Sequence, residues 1–529
     1  MSGRRRLWVL VVTGLLLAAD VAPLPHAVDV VLAGPYARLL AASADLGASR
    51  SGDTQLTVML ADARRPDELI GWAAGRSLEV RWRPGDSWAV VEGTAHSVAT
   101  AFGVPVRDYR GRRGQVFYAS PQQPAVPAEL AGPVTETGRI LGYTPHHLAR
   151  PDLLPLDVPP QGLSPDALLA AYNAQPLAAA GFTGKGATIV FFEFDGYEQS
   201  DLDAFSDMSG LPRFTPVLIG GQPGPSTGET VMDLQVAHAI APDAQLVVVN
   251  ARPTVEGDGG YEKVGQLFEE TDRQFPGAVW SLSIGWGCDR LHAAADLAPV
   301  RAAVAAAQRR GTTAFDASGD NGGLECKGGA DWSSPPGPDD IGLDAVASMP
   351  EMTSVGGTTL STDAQGRWLS ERAWVDVPMS LGSTGGVSKL YARPAFQGSV
   401  TTGRDDTQRL VPDVAAVADP FTGVRIMLDG QPRIGAGTSQ AAPIWAALTV
   451  LMNQYLQAHG GRPLGGDLNP LLYQVASSSR QPGFRDVSLG ANAVDVSTPG
   501  YDLVTGLGSP NVDNLVRDLL ALQTGAPRR

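Results

Sequence analysis

The segment Thr188-Ile189-Val190-Phe191-Phe192 is an uninterrupted apolar run that decides the fold class. Further runs of this kind are Leu246–Val249, Val279–Leu282 and Thr312–Phe315. Helical stretches such as Val231–Ile240 and Val300–Arg309 separate them. Alternating β and α segments with strands that are apolar throughout predict an α/β fold, in which helices cover both faces of a parallel sheet. Functional residues then lie at the C-terminal ends of the strands.

The composition is that of a globular protein with more than one domain. The chain has 529 residues, of which 43% are hydrophobic and 18% are charged. Its formal net charge of −15 argues against nucleic acid as a partner, because phosphate binding needs a basic surface. The only two cysteines, Cys288 and Cys326, exclude a disulfide scaffold or a cysteine-rich zinc module.

The N-terminal part of the chain divides into three regions. Residues 1–27 have the pattern of an export signal, because Arg4–Arg6 precede the apolar run Leu7–Ala19; an uncleaved membrane anchor is the alternative. Residues 28–150 predict a compact α+β unit. Residues 151–165 contain five prolines, which is typical of an extended linker that proteases can reach. Residues 166–529 then form the main domain.

Charge is distributed unevenly between these regions. Residues 28–150 carry 13 arginines and 12 acids, a net charge of +1, whereas residues 151–529 carry a net charge of −18. A basic segment can bind an acidic domain at neutral pH and lose that attraction when acid protonates the carboxylates. We therefore expect acid to weaken any contact between the two.

A candidate nucleophile lies in the stretch Gly435-Ala436-Gly437-Thr438-Ser439-Gln440-Ala441-Ala442-Pro443. Small residues allow a sharp turn, after which Ser439 precedes a helix predicted at Gln440–Ala458. A hydroxyl in this position has a helix N-terminus behind it, which favours a developing oxyanion. The alternative is that Ser439 is an ordinary helix N-cap.

A serine nucleophile needs a base, and the carboxylates supply better candidates than the seven histidines. We interpret His238, the one histidine in a promising segment, as structural. Glu229 and Asp233 are four residues apart and therefore share one face of a helix. Two carboxyls that share a proton form a coupled acid/base unit. The alternative is an ordinary acidic helix start.

Two further groups of acids stand in glycine-rich segments. Asp320 follows the strand Thr312–Phe315 in Ser318-Gly319-Asp320, where a protonated carboxyl can donate a hydrogen bond to an oxyanion. Asp486 and Asp502 flank a glycine-containing loop whose oxygens suit a hard cation such as calcium. Each pattern alone is also compatible with an ordinary turn.

Taken together and in this order, the motifs resemble the sedolisin family of serine-carboxyl peptidases, the kumamolisin-like enzymes. The resemblance rests on Glu229-x-x-x-Asp233, on Ser318-Gly319-Asp320 and on Gly437-Thr438-Ser439 through Pro443. Supporting stretches are Val355–Thr358, Gly382–Ser388, Pro412–Ala415 and Thr505–Gly508. The match covers nearly the whole chain after the signal.

The resemblance implies a subtilisin-like α/β domain preceded by an α+β activation propeptide. It implies Ser439 as nucleophile, Glu229 as general base, Asp233 as its partner and Asp320 as the oxyanion group. Glu193 matches an acid that extends this proton network. One calcium ion is implied, with ligands from Asp486, Val487, Thr498, Gly500 and Asp502. Two departures are Thr498, where the family often has glycine, and Ile284, which replaces an aromatic residue seen in some members.

We therefore predict a secreted, acid-active serine endopeptidase that is made as a self-processing zymogen. Its partners are protein or peptide substrates and its own propeptide, and we expect a monomer.

Cys288 and Cys326 both follow predicted strands at the active-site end, so a disulfide is expected, with two free thiols as the alternative. Two other functions remain open: a catalytically silent, calcium-stabilised surface or binding protein, and an ordinary subtilase.

Overall fold

The computed structural model describes residues 32–111, 114–143, 147–148, 162–256, 259–327, 336–377, 379–403, 406–478 and 482–525. The predicted signal, residues 1–27, and most of the predicted linker lie outside these ranges. Among the described residues, no helix has both the length and the apolar character needed to cross a membrane.

The N-terminal unit contains two antiparallel sheets and three helices. A four-stranded sheet has the order β3-β4-β2-β7, and a three-stranded sheet has the order β1-β5-β6. The elements are α1 Pro35–Ala41, β1 Ala44–Ala48, β2 Thr54–Leu60, α2 Asp67–Ala74, β3 Glu79–Arg81, β4 Trp88–Gly93, α3 Ala95–Phe102, β5 Arg107–Arg110, β6 Val116–Ala119, β7 Val134–Thr137 and β8 His147–Leu148.

Local sequence explains these elements. Alternate residues of β2 are fully buried, because one face of its sheet covers the core of this unit. Helix α3 begins after Thr94, whose hydroxyl accepts the Ser97 N–H at 3.1 Å, and ends at Gly103, which adopts a left-handed conformation. The predicted α+β architecture of this region is therefore present.

The main domain alternates strands and helices. Its first half comprises α4 Pro165–Ala171, α5 Gln175–Ala179, β9 Thr188–Glu193, α6 Gln199–Ser209, β10 Val217–Ile219, α7 Glu229–Ile240, β11 Gln245–Asn250, α8 Gly260–Gln274, β12 Val279–Leu282, β13 Ile284–Gly285, α9 Ala298–Arg309 and β14 Thr313–Ala317. Its second half comprises β15 Thr353–Thr362, β16 Trp368–Ala373, β17 Val375–Asp376, β18 Leu381–Gly382, β19 Gly386–Ala392, β20 Gln408–Val411, β21 Val414–Val417, β22 Arg425–Leu428, β23 Gln431–Ile434, α10 Thr438–Ala458, α11 Asn469–Ser478, β24 Phe484–Arg485, β25 Ser509–Pro510 and α12 Val512–Thr524.

The central sheet has the strand order β10-β11-β9-β12-β14-β15-β16, and β21 also pairs with β15. All of these pairs are parallel except β15 with β16. Side chains of β9 alternate between two cores: Ile189 and Phe191 pack in the core that contains α10, and Val190 and Phe192 pack with α8 and α9. Helices therefore cover both faces, and the predicted fold class is confirmed.

The main domain begins slightly earlier than the sequence predicts. Leu163 forms a parallel bridge to Val424, and α4 starts at Pro165 after Ser164, whose hydroxyl accepts the Ala167 N–H at 3.3 Å. The last residues of the predicted linker, 162–165, are therefore part of the folded domain. Proline at the first helical position explains this, because its missing N–H needs no partner there.

The sheet brings the predicted site residues to one edge. Glu193 is the last residue of β9, Ser283 follows β12, and Asp320 follows β14. The N-termini of α7 and α10 carry Glu229 and Ser439. Glu193, Ser283 and Asp320 thus lie at or just beyond the C-terminal ends of parallel strands, where the fold predicts a site, and Ser283 contacts both Asp233 of α7 and Ser439 of α10 there.

Candidate active site

Helix α7 holds the predicted acid/base pair in the interior of the domain. All its residues are buried, and Glu229 and Asp233 lie one turn apart. Its N-cap is Gly228, which has no side chain to satisfy the first N–H groups. Asp195 does so instead: it accepts hydrogen bonds from the N–H groups of Glu229 and Thr230 at 3.2 and 3.0 Å. A strand-end carboxylate thus fixes the start of this helix.

Three buried carboxyls form one electrostatic unit. Burial raises the pKa of Glu193, Glu229 and Asp233 well above the usual carboxyl values, and the charge of Asp195 adds to the rise in each case. Within the described part of the chain, both oxygens of Glu229 and one oxygen each of Glu193 and Asp233 have no hydrogen-bond partner of regular geometry. Such a cluster retains protons and can transfer them.

The turn before α10 delivers Ser439 to this cluster. Gly437 is the N-cap at φ 87°, and Ser439 is the second residue of the helix, so it is not an N-cap residue. Only 1% of Ser439 is exposed. Its hydroxyl is close enough to Glu229 to oppose the rise of that carboxyl's pKa. Neither group has a regular hydrogen bond among the described residues, as is common before a substrate binds.

Asp320 lies beside the same turn. Its Oδ1 accepts hydrogen bonds from the N–H and the hydroxyl of Thr438 at 2.7 and 2.8 Å. A Cβ on Gly437 would lie 2.7 Å from Asp320 Oδ2, which is closer than van der Waals contact allows. Only glycine lets this carboxyl approach the turn. Asp320 therefore lies against the two residues that directly precede Ser439.

His238 has a structural role, as predicted. Its Nε2 donates a hydrogen bond to the Pro212 carbonyl at 2.8 Å, and its ring stacks on Phe214. Burial lowers its pKa to about 4. It lies more than two turns along α7 from Glu229, so it is not a partner for Ser439.

Comparison with known proteins identifies the family. No family model matches the chain. Kumamolisin from Bacillus sp. (strain MN-32) is 31% identical over 463 residues, which cover 82% of this chain and 78% of the relative. The chain belongs to the sedolisin family of serine-carboxyl peptidases. Sedolisin from Pseudomonas sp. (strain 101) is 28% identical over 454 residues, covering 80% of this chain and 73% of that protein.

Other comparisons agree. Human tripeptidyl-peptidase 1 is 27% identical over 392 residues, covering 68% of this chain and 64% of that protein. A solved structure of Pseudomonas sedolisin, complexed with two molecules of pseudo-iodotyrostatin, aligns with a TM-score of 0.59 and 26% identity. That alignment covers 70% of this chain and all of the other chain. The protein is a serine-type peptidase, and its substrates are proteins or peptides.

The predicted calcium ligands of this sedolisin-family peptidase are neighbours. The Gly500 N–H donates to both oxygens of Asp486 at 3.1 and 3.2 Å, and the Thr498 N–H donates to Asp502 at 3.3 Å. The Thr505 hydroxyl lies 3.2 Å from Asp502 Oδ2 and 3.5 Å from the Val487 carbonyl oxygen. The Asp486 and Asp502 carboxylates therefore lie against the same loop, and carboxylate oxygens are ligands of the kind that calcium prefers.

Cys288 and Cys326 are joined by a disulfide. Cys288 follows β13, and Cys326 lies beyond Asp320 in the loop after β14. Gly342 packs against the bridge, because a Cβ there would lie 2.1 Å from Cys326 Sγ. The bridge connects two loops at the edge of the sheet where the site residues lie.

Two residues of the site were not found by sequence reasoning. One is Asp195, which caps α7 and raises the three carboxyl pKa values. The other is Ser283, whose hydroxyl lies 2.7 Å from Asp233 Oδ2 and 3.1 Å from the Ser439 carbonyl oxygen. A signal for Asp195 exists: α7 starts in the sequence without a capping side chain, so its first N–H groups require an acceptor from elsewhere. No comparable signal marks Ser283.

Proposed function

We propose that this peptidase is a secreted, acid-active endopeptidase in which Ser439 is the nucleophile and Glu229 the general base. The observation that carries the proposal is the meeting of one serine hydroxyl with a cluster of buried carboxyls whose pKa values burial raises. A carboxylate with a raised pKa is a stronger base, and it can cycle between its protonated and ionised forms in mildly acidic solution.

In the proposed mechanism one proton moves from the Ser439 hydroxyl to Glu229 and then to the leaving nitrogen. The Oγ of Ser439 attacks the scissile carbonyl carbon while Glu229 takes its proton. Glu229 then donates that proton to the leaving nitrogen, and the C–N bond breaks. Water hydrolyses the resulting ester by the reverse sequence. Asp233 shares a proton with Glu229, and Glu193 extends the network behind it.

Asp320 is proposed to stabilise the oxyanion. Its Oδ1 already accepts two hydrogen bonds from Thr438, so we place the proton on Oδ2, the oxygen that faces Gly437. From there the carboxyl donates to the developing negative charge. This role requires acid, because an ionised Asp320 has no proton to donate.

The contacts of residues 32–148 support a zymogen. Strand β8 pairs antiparallel with β13, with Leu148 opposite Ile284 and His147 opposite Gly285. Strand β13 directly follows Ser283, so this segment lies next to the catalytic cluster as an extended peptide would. We propose that residues 28–150 are an inhibitory propeptide removed by cleavage in the linker, whose residues 151–161 lie outside the described ranges.

Charged and apolar contacts hold the proposed propeptide to the main domain. Arg83 forms a bidentate pair with Glu269 at 2.5 and 2.8 Å, and Arg81 pairs with Glu262 at 2.5 Å. Exposed pairs of this kind contribute about 0–1 kcal/mol each. The apolar contact of Trp88 and Val90 with Ala298 adds burial that salt does not screen.

The remaining parts of the proposal concern export and metal. We propose that residues 1–27 direct secretion and that one calcium ion binds Asp486, Asp502 and the carbonyl groups of Val487, Thr498 and Gly500. The closeness of Gly500 to Asp486 and of Thr498 to Asp502 supports the calcium assignment, and the disulfide suits an oxidising compartment.

Hydrolysis of casein and of an internally quenched peptide between pH 3 and pH 9 tests this function. We expect turnover with an optimum below pH 6 that Ser439→Ala abolishes. A folded protein without turnover at any pH would favour the silent binding protein. Turnover with an optimum above pH 7 would favour ordinary subtilase chemistry.

A further inference from the structure

Ser283 lies between the acid/base pair and the nucleophile. It follows β12 and is buried, and its single hydroxyl faces two acceptors. One is Asp233 Oδ2 at 2.7 Å, and the other is the backbone carbonyl oxygen of Ser439 at 3.1 Å. A hydroxyl has one proton, so it can donate to only one of them at a time.

The Ser439 carbonyl needs this donor because of Pro443. Within α10 that carbonyl would ordinarily accept the N–H of the residue four positions later. That residue is Pro443, which has no N–H. With a helix start at Gln440, as the sequence predicts, Pro443 would lie near the first turn, where its missing N–H does little harm. The helix starts at Thr438 instead, so the buried Ser439 carbonyl lacks its usual donor within the helix. An unpaired buried carbonyl is costly.

The two acceptors therefore compete according to the state of Asp233. When Asp233 is ionised, the Ser283 hydroxyl donates to its carboxylate and the Ser439 carbonyl is left without a partner. When Asp233 is protonated, its own proton is donated to Ser283 Oγ, and Ser283 donates to the carbonyl. In the second arrangement Asp233 Oδ2, the Ser283 hydroxyl and the Ser439 carbonyl each have a hydrogen-bond partner.

We propose that Ser283 is a positioning residue that couples the protonation of Asp233 to the backbone of Ser439. The inference rests on the proposed roles of Glu229, Asp233 and Ser439. Pro443 is also required. Because it has no N–H, the Ser439 carbonyl depends on Ser283 for a hydrogen bond, and this favours the protonated form of Asp233. Each proton transfer through the pair then changes the hydrogen bonding of the nucleophile's own peptide group.

Other groups around Asp233 both raise and lower its pKa. Burial and the charge of Asp195 raise its pKa, whereas hydrogen bonds from Ser283 and Glu193 lower it. Glu229 lies one turn away on the same helix. Among the described residues, no hydrogen bond joins these side chains to Pro443, whose nitrogen has no proton to donate. A change at Pro443 that acts on Asp233 through hydrogen bonding must therefore pass through Ser283.

Pro443→Ala tests the coupling, because it gives the Ser439 carbonyl its own N–H donor. We expect the acid limb of kcat against pH to move to lower pH. The same substitution should cause no such shift in the Ser283→Ala background. It should cause the full shift in the Ser281→Ala background, which removes a buried hydroxyl of β12 that has no hydrogen-bond partner among the described residues. Ser283→Ala alone should lower kcat about tenfold to a hundredfold with little change in KM.

Further variants keep the test decisive. Ser283→Thr retains the hydroxyl and should retain the shift; Ser283→Cys replaces Ser283→Ala if the alanine variant does not fold. The Asp233 carboxyl ¹³C resonance, assigned with Asp233→Asn and titrated in the Ser439→Ala precursor, should show the same pattern without any turnover. An inactive wild type would contradict the proposed function, and this titration would still decide the coupling. Equal shifts in the Ser283→Ala and Ser281→Ala backgrounds, or no shift in either, would overturn it.

Discussion

Ser439, Glu229 and Asp233 depend on burial for their chemistry. At the ordinary carboxyl pKa, Glu229 would be a weak base, and none of the described histidines forms a hydrogen bond with the Ser439 hydroxyl. Removal from water and the neighbouring charge of Asp195 raise the pKa values of the carboxyls, so that one serine hydroxyl faces a base of useful strength. Burial thus gives a physical reason why the carboxylate that we propose as base can act where other serine peptidases use histidine.

Asp195→Asn tests that electrostatic contribution. The substitution removes a negative charge that raises the pKa of Glu193, Glu229 and Asp233, so we expect the acid limb of kcat/KM to move to lower pH. Asp201→Asn is the matched control: Asp201 is also buried and accepts two backbone N–H groups, at Asp429 and Gly430, but it acts on none of the three pKa values. A shift to higher pH, or equal shifts in both variants, would contradict the account.

The sequence could identify some of these residues because their motifs are local. Glu229 and Asp233 share one helix turn, and Ser439 stands in a single glycine-rich stretch. Asp195 and Ser283 act at a distance along the chain: Asp195 meets the Glu229 N–H across 34 positions, and Ser283 meets the Ser439 carbonyl across 156. The uncapped start of α7 indicates only that some acceptor is needed there, and no periodicity or spacing rule predicts contacts of that range, so the fold is needed to identify both residues.

At the scale of elements, the strands were predicted more accurately than the helix starts. The four apolar runs coincide with β9, β11, β12 and β14 to within about two residues, because buried parallel strands have continuous apolar sequences. Helix α10 starts two residues before the predicted position. Its first N–H, that of Thr438, donates to Asp320, a residue 118 positions earlier. A distant carboxylate therefore decides where this helix begins.

The loop between Asp486 and Asp502 gives a prediction at the same scale. If calcium binds there, it stabilises the folded state, by about 2.7 kcal/mol at a concentration one hundred times its dissociation constant. We expect excess chelator to lower the melting temperature of the Ser439→Ala precursor and added calcium to restore it. Asp486→Asn should remove most of this response, whereas Asp376→Asn, in the short strand β17, should leave it unchanged. A melting temperature that chelator does not change would count against the site.

The whole molecule should be more stable in acid than at neutral pH. Burial raises the pKa of many carboxyls: Glu193, Glu229, Asp233, Asp289, Asp296, Asp316, Asp344, Glu371 and Asp467, with values of about 6 at Asp289, Asp296 and Asp467. A folded state that binds more protons than the unfolded state loses stability as pH rises. The loss of stability begins near the ordinary carboxyl pKa values and continues through pH 6 and above.

Thermal unfolding of the Ser439→Ala precursor at pH 5 and pH 8 measures that trend. We expect a lower melting temperature at pH 8. Asp316→Asn should reduce the difference, because both Asp316 oxygens are buried without a hydrogen-bond partner in the described structure and the carboxyl resists ionisation. Asp207→Asn, at an exposed residue, should not reduce it. Higher stability at pH 8 would refute this prediction.

The contact between the proposed propeptide and the main domain contains groups of opposite pH response. Burial and the nearby Arg139 lower the pKa of His292 to about 3, so acid favours separation as the freed histidine gains a proton. Burial raises the pKa of Asp296 to about 6, so its protonation favours the docked state. Tyr261 contacts His292 at 3.2 Å, and the Arg139 N–H donates to Asp296 at 2.8 Å.

These signs predict opposite effects for two variants. The Ser439→Ala precursor, carrying an added protease site in the linker, is cut and its parts are separated by gel filtration from pH 7 to pH 4. His292→Gln should make the increase in separation from pH 7 to pH 4 smaller than in the parent, and Asp296→Asn, which cannot ionise and so docks better at pH 7, should make it larger. The reverse order, or no difference between the variants, would remove these two residues from the account of acid release.

Strand β8 shows what the sequence could not predict about the whole molecule. The division near residue 150 follows from charge and proline content, but the antiparallel pairing of residues 147–148 with β13 depends on how the two units dock. Through this pairing, residues 147–148 of the proposed propeptide lie next to the catalytic cluster.

The most direct test of the central claim is incubation of the purified precursor at pH 4, followed by electrophoresis, N-terminal sequencing and a peptide-hydrolysis assay. The account predicts that the wild-type chain is cleaved between residues 151 and 165 and gains activity, while Ser439→Ala remains intact and inactive. Turnover of Ser439→Ala within tenfold of wild type, where loss of a nucleophile costs about 10⁴–10⁶, or a wild-type precursor that stays whole and inactive in acid, would contradict it.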